Sequence, residues 1–108
     1  MEERQAIAAF GALSQETRLR ILRLLIVAGP EGMAAGVIAD RAGVSASNVS
    51  FHAKELERSG LVVSQRESRS IIYRADMAAL DGLLRFLMED CCGGQTPLCA
   101  GVPACAAD

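Results

Sequence analysis

The stretch Val44-Ser45-Ala46-Ser47-Asn48-Val49-Ser50-Phe51-His52-Ala53-Lys54-Glu55-Leu56-Glu57-Arg58-Ser59-Gly60 decides the fold. Ser45 is a residue type that caps helix N-termini by accepting from an early backbone N–H. Val49, Ala53 and Leu56 follow at spacings of four and three, the period of one buried helical face. Gly60 is a helix-closing glycine. The spacing therefore predicts a helix over 46–58 whose opposite face carries Ser47, Asn48, Phe51, Lys54, Glu55 and Arg58. Upstream, residues 33–42 read as a helix with Val37, Ile38 and Ala42 apolar, and Gly43 turns the chain. Downstream, Leu61–Gln65 and Ser70–Arg74 read as β-strands joined by the polar tip Arg66-Glu67-Ser68-Arg69. Two short helices on a glycine turn, then a hairpin, make a winged helix-turn-helix: a mainly α fold with a β-hairpin wing.

Further out, residues 3–12 carry Ile7, Phe10 and, just beyond, Leu13 at helical spacing. Ser14 is the expected N-cap of a helix reaching about Ala28, with Leu19, Leu22 and Ile26 on one face and Ile21, Leu24 and Leu25 widening it. Arg18, Arg20 and Arg23 flank that stripe, and Gly29-Pro30-Glu31-Gly32 breaks the chain. Residues 76–90 predict a last helix with Leu80, Leu83, Leu84, Leu87 and Met88 in period. From Gly93 the chain is rich in Gly, Ala and Pro without a period. The organisation expected is one DNA-binding and dimerisation domain over 1–90 and a flexible cysteine-bearing tail over 91–108.

The 108 residues are 51% hydrophobic and 22% charged, with a formal net charge of −2. That composition fits one small folded domain and argues against both disorder and a complete metabolic enzyme with its own deep cleft. Apolar runs such as Leu24–Ala28 fall far below the ~20 residues a bilayer requires. Met1-Glu2-Glu3-Arg4 opens no signal peptide, so a cytoplasmic chain with reduced thiols and no membrane partner is expected. The charge is uneven. Residues 41–75 hold six basic side chains against three acidic ones, a basic island in an otherwise acidic chain.

That island coincides with the helix-turn-helix and points to double-stranded DNA. Only the major groove both admits a helix and distinguishes all base pairs. Asn48 is suited to reading adenine, Phe51 to touching a thymine methyl, and Ser47, Ser50 and Lys54 to phosphates or base edges. Arg66 and Arg69 suit flanking phosphates or the minor groove. The alternative is a helix-turn-helix serving only to pack against protein, with Phe51 capping the core edge.

The chain resembles the ArsR/SmtB family of metal- and metalloid-responsive bacterial repressors. The resemblance lies in Ala12-Leu13-Ser14-Gln15-Glu16-Thr17-Arg18-Leu19-Arg20-Ile21-Leu22, in Val44 to His52, in Leu56-Glu57-Arg58-Ser59-Gly60-Leu61-Val62, and in Arg66-Glu67-Ser68-Arg69 followed by Tyr73-Arg74. It covers about residues 5–90. It implies a homodimer held by the first and last helices, here through Ile7, Phe10, Leu80, Leu84 and Leu87, and repression of an operator released by an inducer. It also implies a structural or DNA-contact role for His52, the single histidine, rather than a metal role. Three departures stand out. Ser68 replaces the usual wing-tip glycine. Ala34 and Gly36 fall where the family's familiar third-helix cysteine pair stands. The last helix has no histidine for a zinc site at the dimer face.

All four cysteines, Cys91, Cys92, Cys99 and Cys105, lie in the last 18 residues. Adjacent cysteines suit a disulfide poorly, since their Cα atoms sit about 3.8 Å apart. No C-x₂₋₄-C pair of the kind structural zinc prefers is present. Vicinal thiols suit a soft thiophilic centre. Trivalent arsenic or antimony takes three thiolates, and Cys91, Cys92 and Cys99 supply them, with Cys105 dispensable. Some arsenic-responsive members of the family have a similar pattern. The expectation is a repressor with trivalent arsenic or antimony as inducer and no organic cofactor. Alternatives are a thiol redox or soft-metal sensor of the same fold, or a metalloid-binding protein without DNA function. An arsenate reductase is disfavoured because no phosphate-cradling loop surrounds a cysteine.

Overall fold

The computed structural model describes residues 1–89. Five helices and three short strands follow in the order α1 (Glu3–Leu13), α2 (Glu16–Ala28), a single 3₁₀ turn (Gly29–Glu31), β1 (Met33–Ala34), α3 (Ala35–Ala42), α4 (Ala46–Arg58), β2 (Val62–Glu67), β3 (Ser70–Ala75) and α5 (Met77–Met88). The winged helix-turn-helix expected from the sequence is present. The tail expected over 91–108 lies outside the described residues.

The core is built where the helices meet the sheet. Ile21, Leu22 and Leu25 of α2, Ile38 and Ala42 of α3, and Val49, Ala53 and Leu56 of α4 are buried with Leu61, Val62, Tyr73 and Leu83. From α1 the buried residues are alanines, Ala6, Ala9 and Ala12, with the partly buried Leu13 packed against the core at the helix end. The α4 triad is the one that spacing predicts. The α2 stripe is rotated: Leu19 and Ile26 are exposed, and the buried face is centred on Ile21, Leu22 and Leu25. Because apolar residues fall on every side of α2, interleaved with Glu16, Arg18, Arg20 and Arg23, its period does not select between neighbouring stripes.

Helix ends also depart from expectation in two places. Ser14 does not cap α2; its hydroxyl donates to Gly11 O at 2.7 Å and closes α1. The cap of α2 is Gln15, whose Oε1 accepts from Arg18 N at 2.9 Å. The helix expected from residue 33 starts at Ala35, because Met33 and Ala34 pair with Tyr73 and Ile72 as an edge strand. Gly32 admits this pairing. It has φ +71°, and a Cβ there would stand 2.5 Å from the Tyr73 carbonyl oxygen.

The sheet is antiparallel in the order β1-β3-β2. The wing is closed by a two-residue turn, Ser68-Arg69, since Glu67 pairs with Ser70. Asp76 caps α5 through Oδ1, accepting from Ala79 N at 3.1 Å. Among the described residues no helix is long and apolar enough to cross a membrane.

Candidate nucleic-acid interface

The turn between α3 and α4 sets the angle at which α4 is presented. Gly43 takes a left-handed conformation, φ 71° and ψ 33°, in which a side chain is strained. Its N–H and that of Val44 both donate to Ala39 O, at 3.0 and 3.2 Å. Ser45 Oγ then accepts from Asn48 N at 3.2 Å and starts α4. At the other end, Gly60 N donates to Glu57 O at 3.0 Å and Leu61 N to Leu56 O at 3.1 Å. This double closure stops the helix and turns the chain into the wing.

With Val49, Ala53 and Leu56 inside, Ser47, Phe51, Lys54 and Arg58 run at spacings of four, three and four along the outer side of α4. Asn48 and Ser50 flank that line, and all six are exposed. Phe51 is 57% exposed and so does not cap the core. The line is polar and basic around one aromatic ring, which matches the major groove's phosphates, base edges and thymine methyls. Arg58 is held by Glu55 at 3.4 Å, an exposed pair of little stabilising weight.

His52 sits apart from this line. It is half-buried and turned towards α2, where its Nδ1 accepts from Arg18 Nε at 3.1 Å. Burial first, then the Arg18 guanidinium, holds its imidazole below the ordinary histidine range. A second histidine or a cysteine is absent from the described surroundings, and no group of three potential metal ligands occurs among the described residues. Arg18 is the participant that the sequence reading placed only as a flank of α2. Nothing local in the sequence joins it to a residue 34 positions away.

Arg66 lies in β2 opposite Ile71, and Arg69 is in the two-residue turn; both are exposed. Ser68 has φ 53°, the single non-glycine positive φ among the described residues. A positive φ at the first position of such a turn is the setting in which glycine is ordinarily found. The wing is tied to the recognition helix by Ser64 Oγ, which donates to Glu57 Oε2 at 2.9 Å. Burial, and secondarily Glu57, push the Tyr73 phenol above its usual range, keeping it neutral beneath the wing.

α1 packs beside α5 as well as against α4, and α1 and α5 leave large apolar side chains outside. Ile7 is 65% exposed, Phe10 41%, Leu84 41% and Leu87 53%. Leu80 differs: it is half-buried and packs on the chain's own core. Ala34 ends β1 and Gly36 stands in the first turn of α3, so that helix offers no thiol. Cys91, Cys92, Cys99 and Cys105 lie outside the described residues.

Residues 13–65 match the helix-turn-helix domain family. The sequence is 34% identical to the HTH-type transcriptional regulator YgaV of Escherichia coli (strain K12) over 88 residues, 82% of this chain and 87% of the relative. Among solved structures, an ArsR-like transcriptional regulator from Rhodococcus sp. RHA1 superposes with a TM-score of 0.70 at 34% identity, covering 89% of this chain and 88% of that one. The homodimeric winged helix-turn-helix DNA-binding domain of Mb0332 from Mycobacterium bovis, a possible ArsR-family regulator, superposes with a TM-score of 0.63 at 27% identity. That match covers 83% of this chain and 89% of that one.

Proposed function

We propose a function that proceeds from one premise: the chain belongs to the ArsR family of winged helix-turn-helix transcriptional regulators. It is a DNA-binding regulator and not an enzyme. In our reading it is a repressor that binds its operator as a homodimer and leaves it when trivalent arsenic or antimony occupies Cys91, Cys92 and Cys99. The observation that carries the DNA reading is the outer line of α4, Ser47-Phe51-Lys54-Arg58, opposite a fully buried triad. The dimer reading is supported by the exposed Ile7, Phe10, Leu84 and Leu87 on adjacent helices and by the homodimeric Mb0332 domain. Two recognition helices about 34 Å apart then reach successive turns of the groove.

The inducer reading rests on donor chemistry. Three thiolates match the three positions that inorganic arsenite offers, and soft sulfur suits soft trivalent centres. Cys91 follows Leu87 at a four-residue spacing, so a centre bound there bears on the helix that carries Leu84 and Leu87. An inducer that weakens DNA binding must itself bind better to the DNA-free protein, by reciprocity.

The test is release of labelled operator from the reduced protein by arsenite, antimonite, zinc and cadmium, repeated with four single Cys→Ser variants. Arsenite and antimonite should release DNA at lower concentration than zinc or cadmium. Cys91→Ser and Cys92→Ser should abolish the response. Cys99→Ser should lose most of the arsenite response yet keep more of the response to a singly methylated trivalent arsenical, which has two positions to fill. Cys105→Ser should change little, because three sulfurs already saturate the centre. Equal loss in all four variants, or loss confined to Cys105→Ser, would reject the assignment. Release by mild peroxide with loss of thiols, and none by arsenite, would replace it with a redox sensor.

A further inference from the structure

Arg18 stands on α2, yet its side chain ends at the reading face of α4. Its Nε–H donates to His52 Nδ1 at 3.1 Å, and its guanidinium carbon lies 5.8 Å from the centroid of the Phe51 ring. The His52 ring meets Phe51 edge-on, with centroids 5.1 Å apart and planes at 67°. Arg18 has no carboxylate partner among the described residues, whereas Arg20, Arg58 and Arg85 each have one. Its guanidinium is committed to a ring face and a ring nitrogen.

The chemistry requires an arginine. A planar guanidinium can lie against an aromatic face while one N–H points sideways to an acceptor; an ammonium has no such plane. His52 accepts at Nδ1, so its proton is on Nε2 and the ring is neutral. Phe51, 57% exposed and outside the core, has more than one staggered rotamer open to it on a helix surface. With Arg18 against it and His52 edge-on, one orientation is held before DNA arrives. A side chain already ordered loses less freedom on binding.

We infer that Arg18 is a positioning residue for sequence recognition: reaching from α2, it holds Phe51 in the orientation in which the ring meets the operator, so the discrimination carried by Phe51 depends on Arg18. This rests on the reading that the outer line of α4 enters the major groove.

The test is a double-mutant cycle on the full-length dimer with Arg18→Gln, Phe51→Ala and the pair, with Arg18→Lys and Lys54→Ala alongside. The probes are a duplex selected from a random pool by the wild-type protein and an unselected duplex of equal length. Affinities are read by fluorescence anisotropy over a salt series. Arg18→Gln should lose roughly three- to tenfold on the selected duplex, the scale of one unfixed side chain, and little on the unselected one. In the Phe51→Ala background the same change should cost less than about twofold, since coupled residues are non-additive. Arg18→Lys should recover only part, and the salt slope should not move. The inference is overturned if the two losses multiply, if both duplexes lose equally, or if Arg18→Lys restores wild-type binding while Arg18→Gln flattens the salt slope by about one contact. That last pattern describes a phosphate contact. Wild-type binding by both Phe51→Ala and Lys54→Ala would instead overturn the groove-facing reading itself, and the inference with it.

Discussion

Helices α1 and α4 are both amphipathic, but in opposite senses. α4 buries Val49, Ala53 and Leu56 and shows a polar, basic line to the outside. α1 buries only Ala6, Ala9 and Ala12 and turns Ile7 and Phe10 outward. Hydropathy alone would put the larger apolar residues of α1 inside. Size decides instead: alanines let α1 lie close on the core, and Ile7 and Phe10 are left for a second apolar surface. α5 adds to that outer surface, exposing Leu84 and Leu87, although the residue it buries, Leu83, is as large as they are. One outer face is suited to a polyanion and the other to a copy of itself.

The largest expected effect comes from breaking the apolar side of that contrast. The paired change Phe10→Glu and Leu87→Glu places charges on surfaces that need to be dry in a dimer. Both sites are exposed in the monomer, so the circular dichroism spectrum should stay native. Sedimentation at micromolar concentration should show monomer, and operator affinity should fall by about 100-fold or more as the second half-site loses its tether. A variant that still sediments as a dimer with wild-type affinity would mean that another surface pairs the chains.

Next in size is the polar side. Asn48→Ala and Lys54→Ala should each cost about 1–3 kcal/mol on the operator where they meet a base edge. Arg69→Ala in the wing turn should weaken binding to any sequence and reduce the salt slope by about one. None of the three should alter the sedimentation coefficient, which sharpens the separation of the two faces. Operator binding unchanged in all three would refute the docking of α4 and the wing.

The smallest effect tests the wing as scaffold. Ser68 holds φ 53° where glycine carries no steric cost. Ser68→Gly should stabilise the fold by roughly 1 kcal/mol, raising the thermal midpoint by about 4–8 °C for a domain of this size. Operator affinity should not change. A lower midpoint would mean that Ser68 is favoured there by contacts its backbone angle does not reveal.

How much of this was legible beforehand varied by element, for physical reasons. α4 could be read almost to the residue because a serine cap, a polar-against-apolar period and a closing glycine agree within seventeen positions. α2 offers no such contrast, so its buried stripe emerged only once α3, α4 and β3 lay against it. β1 is two residues long, too short to alternate, and its partners Tyr73 and Ile72 are some forty positions away. The outer line of α4 was visible as residue types. The Arg18 contact was not, since it exists only because α2 and α4 cross at that point.

The two-residue strand β1 has a consequence out of proportion to its length. The chain leaves the central strand's one side at Ala34, makes α3 and α4, and returns at Val62 on that strand's other side. The helix-turn-helix is thus a loop stitched at both ends to β3, with Gly32 as the tight seat of the first stitch. A rotation imposed on the sheet is delivered to the helix-turn-helix at the start of α3 and at the end of α4 together. Reader and wing are thereby tied to one strand, so that in the proposed dimer a change in the angle between subunits would act on the spacing of two such units.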